Sequence, residues 1–343
     1  MEKIDIKSLS KEDLKKHLIK SGSEPYRVGQ ISRWLYKAGV KSFDEMLDIP
    51  EALRAGLKAK FHINHLVILD HKSSRIDGTT KYLFKLEDGN TIETVFLPEE
   101  RRNTICLSSQ VGCKFSCSFC ASAPFGFIRN LHRSEIIDQV LAIKARHPSS
   151  SITNLVFMGI GEPLDNYDNV LGAIRVFNDK DAFGIGSRKI TISTCGIVPA
   201  IEKLKDEGMQ VELSISLHSA DDSVRSTLVP VNKRYPLKEL IGACKDYIQH
   251  TNRVITFEYI LIKGVNSSTA DAIKLAALLK GIKCKVNTIA YNKIRAKDYA
   301  EPDVKYIKEF MDTLRRSGIN ATHRKSKGED IDAGCGQLRI SKL

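Results

Sequence analysis

Cys113-Lys114-Phe115-Ser116-Cys117-Ser118-Phe119-Cys120 is the stretch on which the reading of this chain turns. It follows an apolar run, Thr104–Ser108, that reads as a strand, so the three cysteines fall on a loop at that strand's C-terminal end. Three thiolates at this spacing can ligate three irons of a [4Fe–4S] cubane and leave the fourth iron open. The competing reading is a structural zinc site completed by Cys106 or His132. Zinc sites usually pair their ligands as two short couples, whereas here the ligands form one triplet with an aromatic before the last cysteine, which favours the iron–sulfur cluster.

Outward from the loop, strands and helices alternate. Strands are expected at Thr104–Ser108, Asn154–Met158, Lys189–Ser193, Val211–Leu217, Val254–Leu261, Lys285–Ala290 and Asn320–His323, and helices near 133–146, 166–178, 198–207, 237–250, 268–280 and 303–317. Such alternation implies parallel strands joined by crossover helices, the α/β class. Six repeats are too few for a closed eightfold barrel, so a partial (β/α)6 barrel is expected, with its active site at the C-terminal ends of the strands. Upstream, residues 10–61 read as amphipathic helices punctuated by Gly22, Gly39 and Pro50. Residues 66–98 change period to that of a β-meander, turning at Asp77-Gly78 and Asp88-Gly89-Asn90. The expected organisation is a helical N-terminal unit (1–62), a meander (63–100) and a barrel core (101–343).

The chain has 343 residues, ample for this plan, with a net charge of +12. A basic surface attracts polyanions, RNA among them, although the first 60 residues carry only 13 Lys/Arg against 9 Asp/Glu, so no single block marks the binding face. The polar start and the absence of a long apolar run point to a cytoplasmic protein with no membrane partner. In that setting eight cysteines do not suggest a disulfide framework. Cys195, Cys244 and Cys284 lie in apolar, periodic surroundings and read as small core residues.

The cysteine triplet resembles that of the radical S-adenosylmethionine superfamily. There the open iron chelates the amino and carboxylate groups of S-adenosylmethionine, and an electron from the cluster cleaves it to a 5′-deoxyadenosyl radical. Gly159-Ile160-Gly161-Glu162-Pro163-Leu164 ends the second core strand. Alone it would pass for an ordinary turn. Behind the triplet, its glycines suit close backbone approach to a ligand and its acid suits an ammonium.

Glu93, Cys106-Leu107-Ser108-Ser109-Gln110-Val111-Gly112-Cys113, Ser216-Leu217-His218 and Asp330-Ile331-Asp332-Ala333-Gly334-Cys335-Gly336-Gln337-Leu338 narrow the resemblance. Together they look like the bacterial radical adenine methyltransferases that act on 23S rRNA and in some cases tRNA, and the likeness runs over nearly the whole chain. It implies two molecules of S-adenosylmethionine per turnover. Cys335 takes a methyl group from one. The second supplies the radical that activates that methyl, which then joins C2 of the adenine. Glu93 is then the proton acceptor, and Cys106 releases the product by a transient disulfide with Cys335. Cys113, Cys117 and Cys120 hold the cluster, and Gly161, Glu162, Ser193, Ser216, Leu217, His218 and Asn292 contact S-adenosylmethionine. Pro163 and the Gly126–Leu131 segment are closer to the C2 enzymes than to a sister group that methylates C8. A flavodoxin-type electron donor and a monomer are further expectations of the resemblance. Gly334 stands where the family has alanine, which suggests a looser loop around Cys335.

Overall fold

The structure is a computed structural model that describes residues 3–294 and 298–339. Its N-terminal unit holds β1 (Ile4–Asp5), α1 (Lys11–Lys20), α2 (Arg27–Ser32), α3 (Glu51–Lys60) and β2 (Phe61–His62). Ser10 starts α1 by accepting from the Asp13 amide, and α2 runs on into a wider turn, Arg33–Ala38, that stops at left-handed Gly39. β1 and β2 pair in parallel and close the unit on itself.

The meander follows as β3 (Val67–Ser73), β4 (Thr80–Lys85) and β5 (Thr91–Leu97). Then come β6 (Thr104–Cys106), a small hairpin of β7 (Gln110–Gly112) and β8 (Phe127–Asn130), α4 (Arg133–Arg146), β9 (Asn154–Phe157) and α5 (Tyr167–Asn178). The core continues with β10 (Ile190–Thr194), α6 (Val198–Lys205), β11 (Glu212–Ser216), α7 (Asp222–Leu228), α8 (Leu237–Thr251), β12 (Ile255–Leu261), α9 (Thr269–Leu279), β13 (Cys284–Ala290), α10 (Val304–Arg316) and β14 (Ala321–Arg324). Each strand and helix expected in the core is present, with ends shifted by a few residues. The hairpin β7–β8 and the short α7 are additions.

One ten-stranded sheet has the order β14-β13-β12-β11-β10-β9-β6-β5-β4-β3. The run from β6 to β14 is parallel, as the expected α/β partial barrel requires. The meander is continuous with it, because β5 pairs antiparallel with β6 through Val95↔Cys106, Phe96↔Ile105 and Leu97↔Thr104. Outward positions such as Ile190, Ile192, Phe257 and Tyr259 are buried, and with the core helices they form part of one apolar cluster that also takes in the N-terminal helices. The opposite face of the strands carries Ser193, Ser216, Glu258 and Arg324 toward the barrel interior. No helix among the described residues is long and apolar enough to cross a membrane.

A buried ion pair pins the N-terminal unit to the barrel. Lys7 is 0% exposed; its Nζ lies 2.6 Å from Asp138 Oδ1 on α4 and 3.7 Å from Asp5 Oδ2. Burial pushes the Asp138 carboxyl up to about 7 against the pull of Lys7. Lys7→Met leaves two buried carboxyl groups without their cation, so it is expected to cost about 3–5 kcal/mol in chemical denaturation. An unchanged midpoint and slope would show that the pair does not hold the two units together.

Candidate active site

The cluster loop closes on itself before it meets anything else. The Cys113 amide donates to Gly126 O at 2.8 Å and the Cys120 amide to Cys117 O at 3.0 Å, while the Ser118 amide donates to Leu228 O of α7 at 2.9 Å. Ser116 takes a left-handed φ of 51° inside the loop. All three cysteines face one cavity of about 180 Å3, far above the ~10–15 Å3 that a single water needs. Burial raises the Cys113 thiol to about 12 and the Cys117 thiol well above its usual value. Buried thiols of this kind become thiolates only against a compensating cation, and bound iron supplies one. Among the described residues no three His, Cys, Asp or Glu converge closely enough for a single metal ion. Thiolates that each take a separate corner of a cubane need not converge, so the donor set fits a [4Fe–4S] cluster.

The loop after β9 forms the next wall. A Cβ on Gly159 would lie 2.6 Å from Leu107 O, and one on Gly161, at φ +102°, would lie 2.5 Å from Gln110 Cβ, so neither position tolerates a side chain. Behind them the Ile160 amide donates to Ser108 Oγ and the Glu162 amide to Gln110 Oε1, each at 2.9 Å. The Glu162 carboxylate is 4% exposed. Burial raises its pKa, opposed by the Cys195 amide at 2.7 Å and the Leu164 amide at 2.9 Å.

His218 is also in the left-handed region, at φ 57°. Its Nδ1 accepts from the Ile260 amide at 3.0 Å, which leaves the ring proton on Nε2, and its ring meets Phe119 edge-on. Burial, with the nearby Arg225 charge, lowers it to about 3, so the imidazole is neutral at working pH. Two of the four non-glycine residues with positive φ among the described residues, Ser116 and His218, therefore line the cavity, where local backbone strain commonly collects.

Cys335 arrives from the far end of the chain. It is exposed and lines the same cavity as Cys113, Cys117 and Cys120. Its loop is tied through three of its own carbonyls to two segments, the end of the cluster loop and the end of β13. The Ala121 amide donates to Gly336 O at 2.7 Å, Ser122 Oγ to Leu338 O at 2.7 Å and Asn292 Nδ2 to Cys335 O at 3.0 Å. The expectation that Gly334 loosens this loop is corrected here. Its amide donates to Gln337 Oε1 at 2.9 Å, and a Cβ would meet Asn292 Nδ2 at 2.7 Å, so glycine allows a tight closure. Although the residue as a whole is exposed at the cavity mouth, the walls packed around its thiol desolvate it and raise its pKa; Arg324 opposes that rise and Glu258 adds to it.

Cys106 and Glu93 lie beside the cavity and not in its lining. Cys106 packs against a cluster of Val95, Ile160, Ala333 and Leu338, the last two flanking the Cys335 loop, and its thiol is raised to about 12 by burial, with Cys335 adding to the rise. Glu93 is 5% exposed; its Oε2 accepts from the Arg339 amide at 2.9 Å and its Oε1 lies 3.2 Å from Lys81 Nζ. Lys81 Nζ also donates to Asp332 O at 2.9 Å, which links Glu93 to the Cys335 loop.

Of the residues expected to contact S-adenosylmethionine, Gly161, Glu162, Ser193, Ser216 and His218 line the cavity. Leu217 and Asn292 do not. Leu217 is buried, with its amide on Glu258 O, and Asn292 turns to the Cys335 carbonyl. Of the presumed core cysteines, Cys244 is fully buried and Cys284 is partly so, whereas Cys195 lines the cavity. Glu258 and Arg324 line it as well and were missed. A lone acid inside the apolar run Ile255-Thr256-Phe257-Glu258-Tyr259-Ile260-Leu261 was the available signal for the first. Arg324 ends a strand among other basic residues and gave none.

The sequence matches the Radical SAM superfamily over residues 107–276 and the ribosomal RNA large subunit methyltransferase N-terminal domain over residues 4–63. Among curated relatives, a protein of Thermoanaerobacter sp. (strain X514), named probable dual-specificity RNA methyltransferase RlmN, is 46% identical over 99% of this chain and 98% of its own. One of the same name from Clostridioides difficile (strain 630) is 46% identical over 98% of each. The crystal structure of a radical SAM methyltransferase from Sphaerobacter thermophilus superposes with a TM-score of 0.92 at 42% identity, covering 98% of this chain and 99% of that one.

Proposed function

We propose, for a chain that belongs to the radical S-adenosylmethionine RNA methyltransferases and so uses a [4Fe–4S] cluster and S-adenosylmethionine to methylate RNA, that the atom it methylates is C2 of an adenine. The substrates are 23S rRNA and, as the dual-specificity name of the relatives suggests, tRNA. The observation that carries this reading is Cys335, a thiol from the chain's end, lining the cavity shared by Cys113, Cys117 and Cys120. C2 of adenine is too electron-poor to attack a sulfonium methyl, so the carbon needs a protein carrier, and a thiolate is a competent one.

Cys335 attacks the methyl of one S-adenosylmethionine, forms an S–CH3 bond and releases S-adenosylhomocysteine. The cluster, when bound, supplies the electron that cleaves the second S-adenosylmethionine to a hydrogen-abstracting radical. Gly161, Glu162, Ser193, Ser216 and His218 hold that molecule, and a neutral His218 Nε2–H donates to it without adding charge. That radical would take a hydrogen atom from the Cys335 S-methyl, and the S–CH2 radical would add to C2 of the adenine. The odd electron of the adduct would pass to a one-electron acceptor, the oxidised form of the redox partner, so that a closed-shell S–CH2 bridge joins Cys335 and the base. Glu93 takes the proton from the substituted ring carbon. Cys106 attacks Cys335 Sγ; the S–S bond forms as the C–S bond breaks, and the methylated base leaves with that electron pair and a proton. Leu217 and Asn292 serve this site through the backbone, by fixing the end of β11 and the Cys335 loop.

The N-terminal helical unit, residues 1–62, holds the RNA. The adenine enters unpaired or flipped, because C2 is shielded on the minor-groove edge of a helix. A flavodoxin-type protein delivers the electron to a monomeric, cytoplasmic enzyme. The test is mass spectrometry of rRNA and tRNA from cells lacking this protein and from cells given it back. A 2-methyladenine that vanishes and returns is expected. Methylation at C8, or no change in either RNA, overturns the reading.

A further inference from the structure

A guanidinium is buried behind the cavity wall and, among the described residues, bonds only to neutral oxygens. Arg225 of α7 is 0% exposed. Its Nε donates to Leu217 O at 3.1 Å, its Nη1 to Asn232 Oδ1 at 2.7 Å, and its Nη2 to Cys195 O at 2.7 Å and Ser216 O at 3.3 Å. The carboxylate nearest along its own helix, Asp222, is exposed, and its Oδ1 already accepts from Asn232 Nδ2 and the Leu237 amide. A buried cation without a contacting anion is costly, and carbonyl dipoles offset only part of that cost.

The position of Arg225 says what else offsets it. Cys195 and Ser216, whose carbonyls it holds, both line the cavity of the three cluster cysteines. The C-terminal end of its helix accepts the Ser118 amide, inside the cluster loop itself, so helix and loop are fixed to one another. Phe115, Cys117 and Phe119 of the loop pack into the same apolar cluster as Val224 and Leu228 of that helix. Glu162 has a ligand of its own in the proposed reaction, the ammonium of S-adenosylmethionine, whereas Arg225 bonds only to neutral oxygens among the described residues.

We propose that Arg225 is a positioning residue that acts as the counter-charge of the iron–sulfur cluster, favouring its binding and its reduced state. Three thiolates on an oxidised cubane leave one net negative charge, and the single electron taken from the reductant makes it two. A fixed cation in a dry site stabilises the second state more than the first, so it raises the potential at which the electron enters. The same charge gives the buried guanidinium the anion that the polypeptide alone does not provide.

The test compares wild type, Arg225→Lys and Arg225→Gln, reconstituted with iron and sulfide under anaerobic conditions and titrated against a reductant of known poise. Visible bleaching and the spin signal of the reduced cluster are read per mole of bound iron. Lys keeps the charge and loses the fork; Gln keeps donors and loses the charge. Expected is a Lys variant within about threefold of wild type in its ratio of reduced to oxidised cluster. For Gln that ratio should fall about tenfold, which is ~59 mV for a one-electron couple. A Gln variant that holds no cluster beside a Lys variant that loads fully would support the same conclusion. Equal potentials in wild type and Gln, or equal losses in Lys and Gln, would overturn it, since hydrogen bonding alone would then account for Arg225.

Discussion

Cys335→Ser is expected to give a folded, iron-loaded protein whose RNA methylation falls by roughly a thousandfold or more. The fold should survive because the loop is held through main-chain atoms and not through the thiol: Asn292 grips the Cys335 carbonyl, Ala121 the Gly336 carbonyl and Ser122 the Leu338 carbonyl. The chemistry should not survive. A serine hydroxyl is far harder to ionise than a thiol, and an ether formed through it could not be cleaved by disulfide exchange. Intact-protein mass after incubation with S-adenosylmethionine should show one added CH2 on the wild type, mapping to Cys335, and none on the variant. Cluster colour and cleavage of S-adenosylmethionine to 5′-deoxyadenosine separate a lost carrier from a lost cluster. A variant that still methylates RNA, or that gains the methyl on another residue, would remove Cys335 from its proposed role.

The barrel was legible in the sequence because its signal is periodic and local. Ile190 and Ile192 alternate with Thr191 and Ser193, and that alternation alone puts Ser193 on the inner face of β10. The cluster loop was legible because three cysteines in eight residues have few structural explanations. Other parts depend on partners distant in sequence. Lys7 reads as an exposed turn lysine until Asp138 is placed against it, 131 residues away. Arg225 lies on the short helix α7, which the periodicity does not mark, and only the fold brings the carbonyls of Cys195 and Ser216 to it. The hairpin β7–β8 was hidden because its strands are three and four residues long and bracket the cluster loop, with a register shift at Val111/Gly112 that breaks the alternation. The reading of Gly334 as a source of looseness failed for a related reason. Glycine lowers local restraint in a free chain, but here the missing Cβ is the space into which Asn292 packs.

Cys106→Ala should accumulate a covalent protein–RNA species. The bridge between Cys335 and the base forms without Cys106, so the variant should advance through methyl uptake and attachment and then stop. The geometry supports a thiol placed for this one step. Cys106 is held at the end of β6 by its pairing with Val95 and Val156, and it packs with Ala333 and Leu338 on either side of the Cys335 loop. Burial keeps its thiol protonated, at about 12, with Arg324 and a backbone bond to Met158 as the opposing influences. The thiolate is the nucleophile, so Cys106 becomes reactive only as its proton is drawn off. The expected readout is a band of reduced mobility on a denaturing gel that ribonuclease collapses, together with a loss of about a hundredfold or more in released methylated RNA. Cys106→Ala combined with Cys335→Ser should show no such band, which assigns the attachment to Cys335. Normal turnover by Cys106→Ala would mean that another group frees the product, and the transient disulfide would then have no place in the reaction.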